Sequence, residues 1–225
     1  MLFALKLSTD MQIEIWSDIV CPFCYIGKRK FEKALQTFEL SDELQIIYRS
    51  FQLMPDMQTD PDSSVNEFLA REKGMTLEQV AEMNVHVGRQ AAAVGLDYQL
   101  EKAIVANTFQ AHRLLHHARD QNLQQQAKER FLKAYFTEGK NIDDKSTLIH
   151  LSEEIGLKVA DKILAGDRYA AEVKKDILEA RQLGIKGVPF FVFDRKYAVS
   201  GAQEAEVFQN TLAQAFKEWK TESLI

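Results

Sequence analysis

Two short runs rich in β-branched and aromatic residues, QIEIWS at Gln12 to Ser17 and LQIIYRSF at Leu44 to Phe51, flank a segment with helical periodicity. No other feature limits the available folds as strongly. Apolar residues at Phe23, Ile26, Phe31, Ala34, Leu35 and Phe38 predict a helix from about Pro22 to Phe38. Proline suits its first turn, where the missing N–H costs nothing. A connection of that length makes the two strands parallel neighbours rather than a hairpin. The only two cysteines, Cys21 and Cys24, fall at the junction between the first strand and the helix, in SDIVCPFCYIG. In open α/β sheets, chemistry gathers in the crevice beyond the carboxyl ends of the strands.

The Pro/Asp-rich stretch MPDMQTDPDSS then leads into a long region whose periodicity is helical throughout. Helices are predicted over Val65 to Lys73, Leu77 to Gly95 behind a Thr76–Gln79 capping box, Asn107 to Ala118, Leu123 to Phe136, and Lys145 to Ile155 behind Asp144. A further helix is predicted from Asp167 to Leu183, with Gly184 as its C-terminal cap. Two short strands follow, Phe190 to Phe193 and Tyr197 to Ser200, joined by a tight charged turn at Asp194 to Lys196. A last helix carries the stripe Phe208, Leu212, Ala215, Phe216 and Trp219. The order is β-α-β, an all-helical insertion, a returning helix and β-β-α. Without the insertion this leaves an α/β sandwich of four strands.

The 225 residues, 46% of them hydrophobic, suffice for one large domain or one domain carrying an insertion. A net charge of -5 with both signs interspersed offers no extended basic face, which argues against nucleic acid as a partner. There is no uninterrupted apolar run of roughly 18 residues, so no membrane-spanning helix is expected. MLFALKLSTDMQIEIWSD lacks a secretory pattern and reads as an ordinary start, with an optional leader before Met11. A cytoplasmic location is the expectation. There, a close cysteine pair points to catalysis or metal binding rather than to a structural disulfide.

Cys21 and Cys24 admit three readings. Free cysteine is often a small buried hydrophobe. A structural zinc needs about four ligands, and no second cysteine pair exists. His112 and His116 share a helix face at i and i+4, but HRLLH lacks the glutamate of a zinc-protease motif. No metal is therefore expected. C-x-x-C beside a β-α-β pattern matches the third reading, thiol–disulfide exchange. Unpaired N–H groups and the partial positive charge of a helix N-terminus stabilise a thiolate. Cys21 is expected to be the more acidic and exposed thiol, with Cys24, one turn inward, resolving the mixed disulfide. Lys28, Arg29 and Lys30 add positive charge, mostly on a solvated face. Asp18 is expected either to tune the thiol proton or to cap a turn.

Strand, C-P-F-C and helix resemble the thioredoxin superfamily. GIKGVPFFVF is similar to the segment in which that superfamily places a cis-proline against the active disulfide. The whole chain resembles the DsbA-like oxidoreductases and, within them, the FrnE-like branch, through WSDIVCPFCYIGK (16 to 28), ANTFQAHRLLHHA (106 to 118), AYFTEGKNIDD (134 to 144) and GIKGVPFFVFDRKYAVSGAQ (184 to 203). The resemblance implies a discontinuous thioredoxin-like domain over 11–62 and 167–225, with a helical insertion domain over 63–166. It makes Cys21, Cys24 and Pro189 the catalytic residues. It makes Val188, Phe23, Asn107 and His112 the candidates for substrate binding, with Thr108 and Arg113 on the same cleft-facing segment.

Phe23 departs from the proline–tryptophan pair usual between FrnE-like cysteines. A histidine between the cysteines supports the thiolate of DsbA; Phe23 carries no charge, so a potential below DsbA's roughly -120 mV is expected. The implied activity is dithiol/disulfide exchange, with isomerase activity in range, on protein or peptide thiols and disulfides. No cofactor is expected beyond the Cys21–Cys24 disulfide, with glutathione as a co-substrate option. Kappa-class glutathione transferases and hydroxychromene-carboxylate isomerases have a similar architecture, so a glutathione-dependent isomerase or transferase is the alternative enzyme. A redox-controlled, chaperone-like binding protein is the non-enzymatic one. Monomer and homodimer both stay open.

Overall fold

A computed structural model of the protein describes residues 10–223; the segment before Met11 read above as a start or leader lies outside them, save for Asp10. The described elements are β1 (Met11–Ser17), α1 (Pro22–Gln36), β2 (Leu44–Ser50), β3 (Asp60–Ser64), α2 (Val65–Lys73), α3 (Leu77–Ala92), β4 (Ile104–Val105), α4 (Phe109–Asp120), α5 (Gln124–Phe136), α6 (Lys145–Glu154), α7 (Ala160–Ala165), α8 (Ala170–Gln182), β5 (Phe190–Phe193), β6 (Tyr197–Ser200) and α9 (Ala205–Glu222). The expected α/β architecture with a helical insertion is present.

The main sheet runs in the order β2-β1-β5-β6. β1 and β2 are parallel, from Met11 opposite Leu44 to Ser17 opposite Ser50, whereas β5 pairs antiparallel with both β1 and β6. Alternation in β1 sends Ile13 and Ile15 to one face, where they join Phe31, Phe191, Phe193, Phe208 and Leu212. The rings of Phe191 and Phe208 meet edge to face, 4.6 Å between centroids. Trp16 points to the other face, with Ala180, Ile185 and Val192, and its indole N–H donates to the Asp176 carbonyl at 3.1 Å.

Strand β2 lies at the edge of the sheet, and α5 covers that edge through one side chain. Gln124 Oε1 accepts from the Tyr48 N–H and Gln124 Nε2 donates to the Tyr48 carbonyl, both at 2.9 Å. An amide side chain thus makes the two bonds a neighbouring strand would make. This ties the first turn of α5 to the sheet and fixes where the next turn of that helix lies.

Both capping boxes at the starts of α2 and α3 are formed, the second being the expected Thr76–Gln79 pair. Gly184 follows α8 with φ 72°, and the Ile185 N–H returns to the Ala180 carbonyl at 2.9 Å, the expected glycine cap. Asp194 and Arg195 in the charged turn both have positive φ, the twist a tight hairpin requires.

Three expectations are corrected. The insertion is not all-helical: β4 pairs antiparallel with β3, inside the stretch read as a loop. Helix α8 starts at Ala170 rather than Asp167, because Tyr169 before it has φ 67°. The six-residue α7 was not anticipated; Val159 ahead of it also has positive φ, and one and a half turns leave too few residues to show a period.

Candidate active site

Leaving β1, the chain turns through Asp18–Val20 and enters α1 at Cys21, the N-cap, whose backbone is still extended. The Cys24 N–H closes the first turn on the Cys21 carbonyl at 3.0 Å. Cys21 Sγ lies 3.4 Å from the Val188 carbonyl oxygen. The Val188–Pro189 peptide is cis, and Pro189 is buried against α1. The close approach depends on Gly27: a β-carbon there would stand 2.9 Å from Pro189 Cγ and 3.4 Å from Ala202 Cα. Two of the three residues expected to be catalytic and one expected substrate contact are thereby brought together, with Cys24 hydrogen-bonded to Cys21 as the fourth member.

Both thiols are free and buried, Cys21 only 4% and Cys24 3% exposed. Cys21 is therefore only marginally the more exposed thiol, and the electrostatics run against the order of acidity expected. The Cys21 thiol donates to the Cys24 sulfur, and that bond, burial and the charge at Cys24 push Cys21 well up. Burial pushes Cys24 up as well, but the Cys21 thiol, the Lys128 charge and the Ser17 hydroxyl outweigh it and hold Cys24 below the usual thiol range. The helix N-terminus acts on Cys21. The buried lysine acts on Cys24.

Asp18 is wholly interior. Its Oδ1 accepts from the Ile19 N–H and its Oδ2 from the Leu53 N–H, both at 2.8 Å, so it organises the turn below Cys21. His112 Nε2 lies 3.3 Å from Asp18 Oδ1. Burial holds His112 down while Asp18 opposes it; burial pushes Asp18 up, but the bond from His112 and the backbone N–H of Leu53 hold it down. The arrangement is a neutral imidazole donating from Nε2 to a carboxylate. His112 is thus a correction to the sequence reading: it has no surface to offer a substrate, and it supports the turn instead. Arg113 is likewise spent on carbonyls, donating to Arg168 at 2.9 Å and Gly166 at 2.6 Å. His116 turns away from His112 to Asp176 Oδ2, 3.0 Å off.

Asn107 clasps the β2–β3 loop. Its Nδ2 donates to the carbonyls of Met57 at 2.7 Å and Pro55 at 3.2 Å, and its Oδ1 accepts from the Phe109 N–H at 2.9 Å. Met57 and Pro55 belong to the wall of a cavity of about 700 Å³ that also takes in Phe68, Arg71 and Val105. Asn107 shapes that wall through the loop. Phe23, 38% exposed, is the expected substrate-binding residue that presents its side chain to solvent beside the cysteines, and Val188 presents its carbonyl.

The cluster Lys28, Arg29 and Lys30 is not a free basic face. Lys28 is buried and pairs with Glu32 at 2.5 Å and Glu129 at 2.6 Å. Arg29 bonds the same two carboxylates and stacks over Tyr25, and Lys30 pairs with Glu204 at 2.5 Å. Sequence reasoning also missed Gly27, Ser17 and Lys128. Gly27 was visible as a glycine in a helix interior. Lys128 was visible as a lysine sharing a stripe with Ala127, Phe131 and Leu132.

A family model, the DSBA-like thioredoxin domain, matches residues 12–213. The chain belongs to the DsbA-like thioredoxin-domain family. A probable DsbA oxidoreductase from Streptomyces coelicolor superposes with a TM-score of 0.86 at 41% identity, over 92% of this chain and 91% of that one. The uncharacterized protein YwbO of Bacillus subtilis is 27% identical over 208 residues, 90% of this chain and 96% of its own length. The cytosolic disulfide reductase DsbM of Pseudomonas aeruginosa shares the fold, with a TM-score of 0.62 at 16% identity over 94% and 98% of the two chains. So does a 2-hydroxychromene-2-carboxylate isomerase, with a TM-score of 0.63 at 15% identity over 96% and 100%. The family match and the 41% identical probable DsbA oxidoreductase agree with the DsbA-like resemblance read in the sequence and with an enzyme of the thiol oxidoreductase type. Among the described residues, no helix is long and apolar enough to cross a membrane.

Proposed function

We propose that the protein is a thiol–disulfide oxidoreductase working through the Cys21–Cys24 pair on protein or peptide disulfides, with isomerisation of wrongly paired substrates within its range. The observation that carries this reading is the contact of Cys21 Sγ with the Val188 carbonyl beside Pro189, at the N-cap of α1. Starting from the reduced pair with Cys24 as the thiolate and Cys21 as the thiol, the proton of Cys21 passes to Cys24 as Cys21 attacks one sulfur of the substrate disulfide. The S–S bond breaks, and the leaving thiolate is protonated from solvent. Cys24 then attacks Cys21 Sγ, the mixed disulfide breaks, and its own proton ends on the second departing thiol. Two electrons have moved to the substrate and the enzyme carries the disulfide; the reverse sequence oxidises a dithiol.

Phe23 and the Val188 backbone are proposed to bind the substrate beside the cysteines, and Pro189 to shape the groove. The reading includes a cytoplasmic site of action and glutathione as a small thiol co-substrate, since the similarly folded DsbM has a structure with GSH. Insulin reduction and scrambled-disulfide refolding, run on wild type, Cys21→Ser and Cys24→Ser, test it. Activity should vanish in Cys21→Ser, and Cys24→Ser should accumulate covalent mixed disulfides with its substrates. A Cys24→Ser variant that turns over glutathione at the full wild-type rate would replace this reading with a glutathione-dependent isomerase or transferase.

A further inference from the structure

Lys128 is 1% exposed, and its ammonium makes no hydrogen bond among the described residues. Its one ring contact is with Tyr48, 5.7 Å from Nζ to the centroid. This position is imposed: Gln124, one turn earlier on α5, is bound to both backbone groups of Tyr48, so the helix cannot rotate Lys128 out to solvent without losing the clasp on β2. A buried cation with no partner is costly unless an anion forms nearby. The charged and titratable groups that act on it include Cys24, Asp18, Cys21 and Lys28, together with His112 and Tyr48. Both Asp18 oxygens are already bonded, and Lys28 is spent on Glu32 and Glu129. Cys21 and Cys24 are the groups among them whose charge must come and go during dithiol exchange, and Cys24 is the one on which the Lys128 charge acts most strongly. The buried Ser17 hydroxyl favours the Cys24 thiolate from the β1 side.

We propose that Lys128 is the counter-charge of the Cys24 thiolate, a positioning residue supplied by the helical insertion that sets both the resolving step and the redox balance of the pair. The inference rests on the oxidoreductase reading above. In the mixed disulfide, the Cys24 proton must leave before Cys24 attacks Cys21 Sγ, and it ends on the departing thiol; Lys128 stabilises the thiolate between those events. In the disulfide form no thiolate remains, and the ammonium stands alone. Lys128 therefore favours the dithiol over the disulfide and makes the pair more oxidising, opposing the effect expected of Phe23.

The test uses the full chain. In a Cys21→Ser background, thiolate ultraviolet absorbance reports Cys24 alone; adding Lys128→Met should raise its midpoint by about one pH unit, a tenfold loss of thiolate at a given pH below it. In the otherwise wild-type chain, Lys128→Met should shift the equilibrium with glutathione about tenfold toward the disulfide. Lys128→Arg should restore most of both effects. In the unsubstituted protein, the ¹³Cε resonance of Lys128 should titrate at lower pH in the disulfide form than in the dithiol form, a readout independent of whether any variant folds. Equal Lys128 titration in the two forms, or an unmoved Cys24 midpoint in a folded Lys128→Met variant, overturns the proposal while leaving disulfide turnover by wild type untouched. Absence of turnover by wild type with the shifts present would instead overturn the oxidoreductase reading and support the Lys128–Cys24 coupling.

Discussion

Lys128 and Glu129 are neighbours on α5, yet they face two regions built on opposite rules. Glu129 enters a seam with α1 in which every charge is answered: Lys28, Arg29 and the Tyr25 hydroxyl all reach its two oxygens. Lys128 is buried where Cys24, Asp18 and Cys21 act on it, with no partner of its own, and His112 Nδ1 likewise lacks one among the described residues. Both regions hold a buried lysine, and only Lys28 has carboxylates. The seam joins insertion to sheet; the region around Lys128 holds charge in reserve for a group whose ionisation changes.

The largest separation between the two regions should come from removing one charge in each. Glu129→Gln leaves Lys28 and Arg29 with Glu32 alone and should cost about 2 kcal/mol, less than the roughly 3–5 kcal/mol of a fully buried broken pair because Glu129 keeps some solvent contact. Urea denaturation measures it. Lys128→Met should change stability by less than about 1 kcal/mol or raise it, and the contrast between the regions fails if the two variants lose equal stability.

Acid sharpens the same contrast. Burial pushes Glu129 up, but Arg29 and Lys28 hold it down, at about 2 against an ordinary 4.5. A group whose folded-state value is depressed contributes stability that is complete above its unfolded value and is lost as pH falls toward the folded one. The seam's share should therefore disappear between about pH 4.5 and pH 2, and Glu129→Gln should flatten stability across that window. Next in size, Gly27→Ala should cost about 1–2 kcal/mol by pressing a methyl on Pro189 and Ala202, and should slow insulin reduction more than Cys21 alkylation. The smallest effect belongs to the rim: Lys30→Ala breaks an exposed pair with Glu204 and should cost less than about 1 kcal/mol, with unchanged insulin reduction.

What could be read in advance follows the range of the interactions involved. Alternation in QIEIWS and the apolar stripe after Pro22 are local, and β1, α1, β2, β5 and β6 lie where those patterns put them. The β3–β4 ribbon pairs DPDSS with IV; the first lacks a strand's composition and the second, though β-branched, is too short to show a period, and tertiary anchors do the work, including the Asn107 N–H bonded to Thr59 Oγ1 at 2.9 Å. At the site, the C-x-x-C spacing and the Val188–Pro189 dipeptide were legible because each is a short motif. The burial of His112 and the meeting of Lys128 with Cys24 were not, since each depends on how α4 and α5 lie against the β1–α1 turn.

The contact between Cys21 Sγ and the Val188 carbonyl spans 167 residues. A ribosome adding about 5–20 residues per second releases the cysteines roughly 10–30 s before it makes the carbonyl that completes their surroundings. Glu129 and Lys128 emerge during that interval, so the dithiol's electrostatic partner is available before its proline wall. A nascent chain stalled ahead of Val188 would carry both cysteines without the carbonyl and the proline that flank Cys21 in the folded protein.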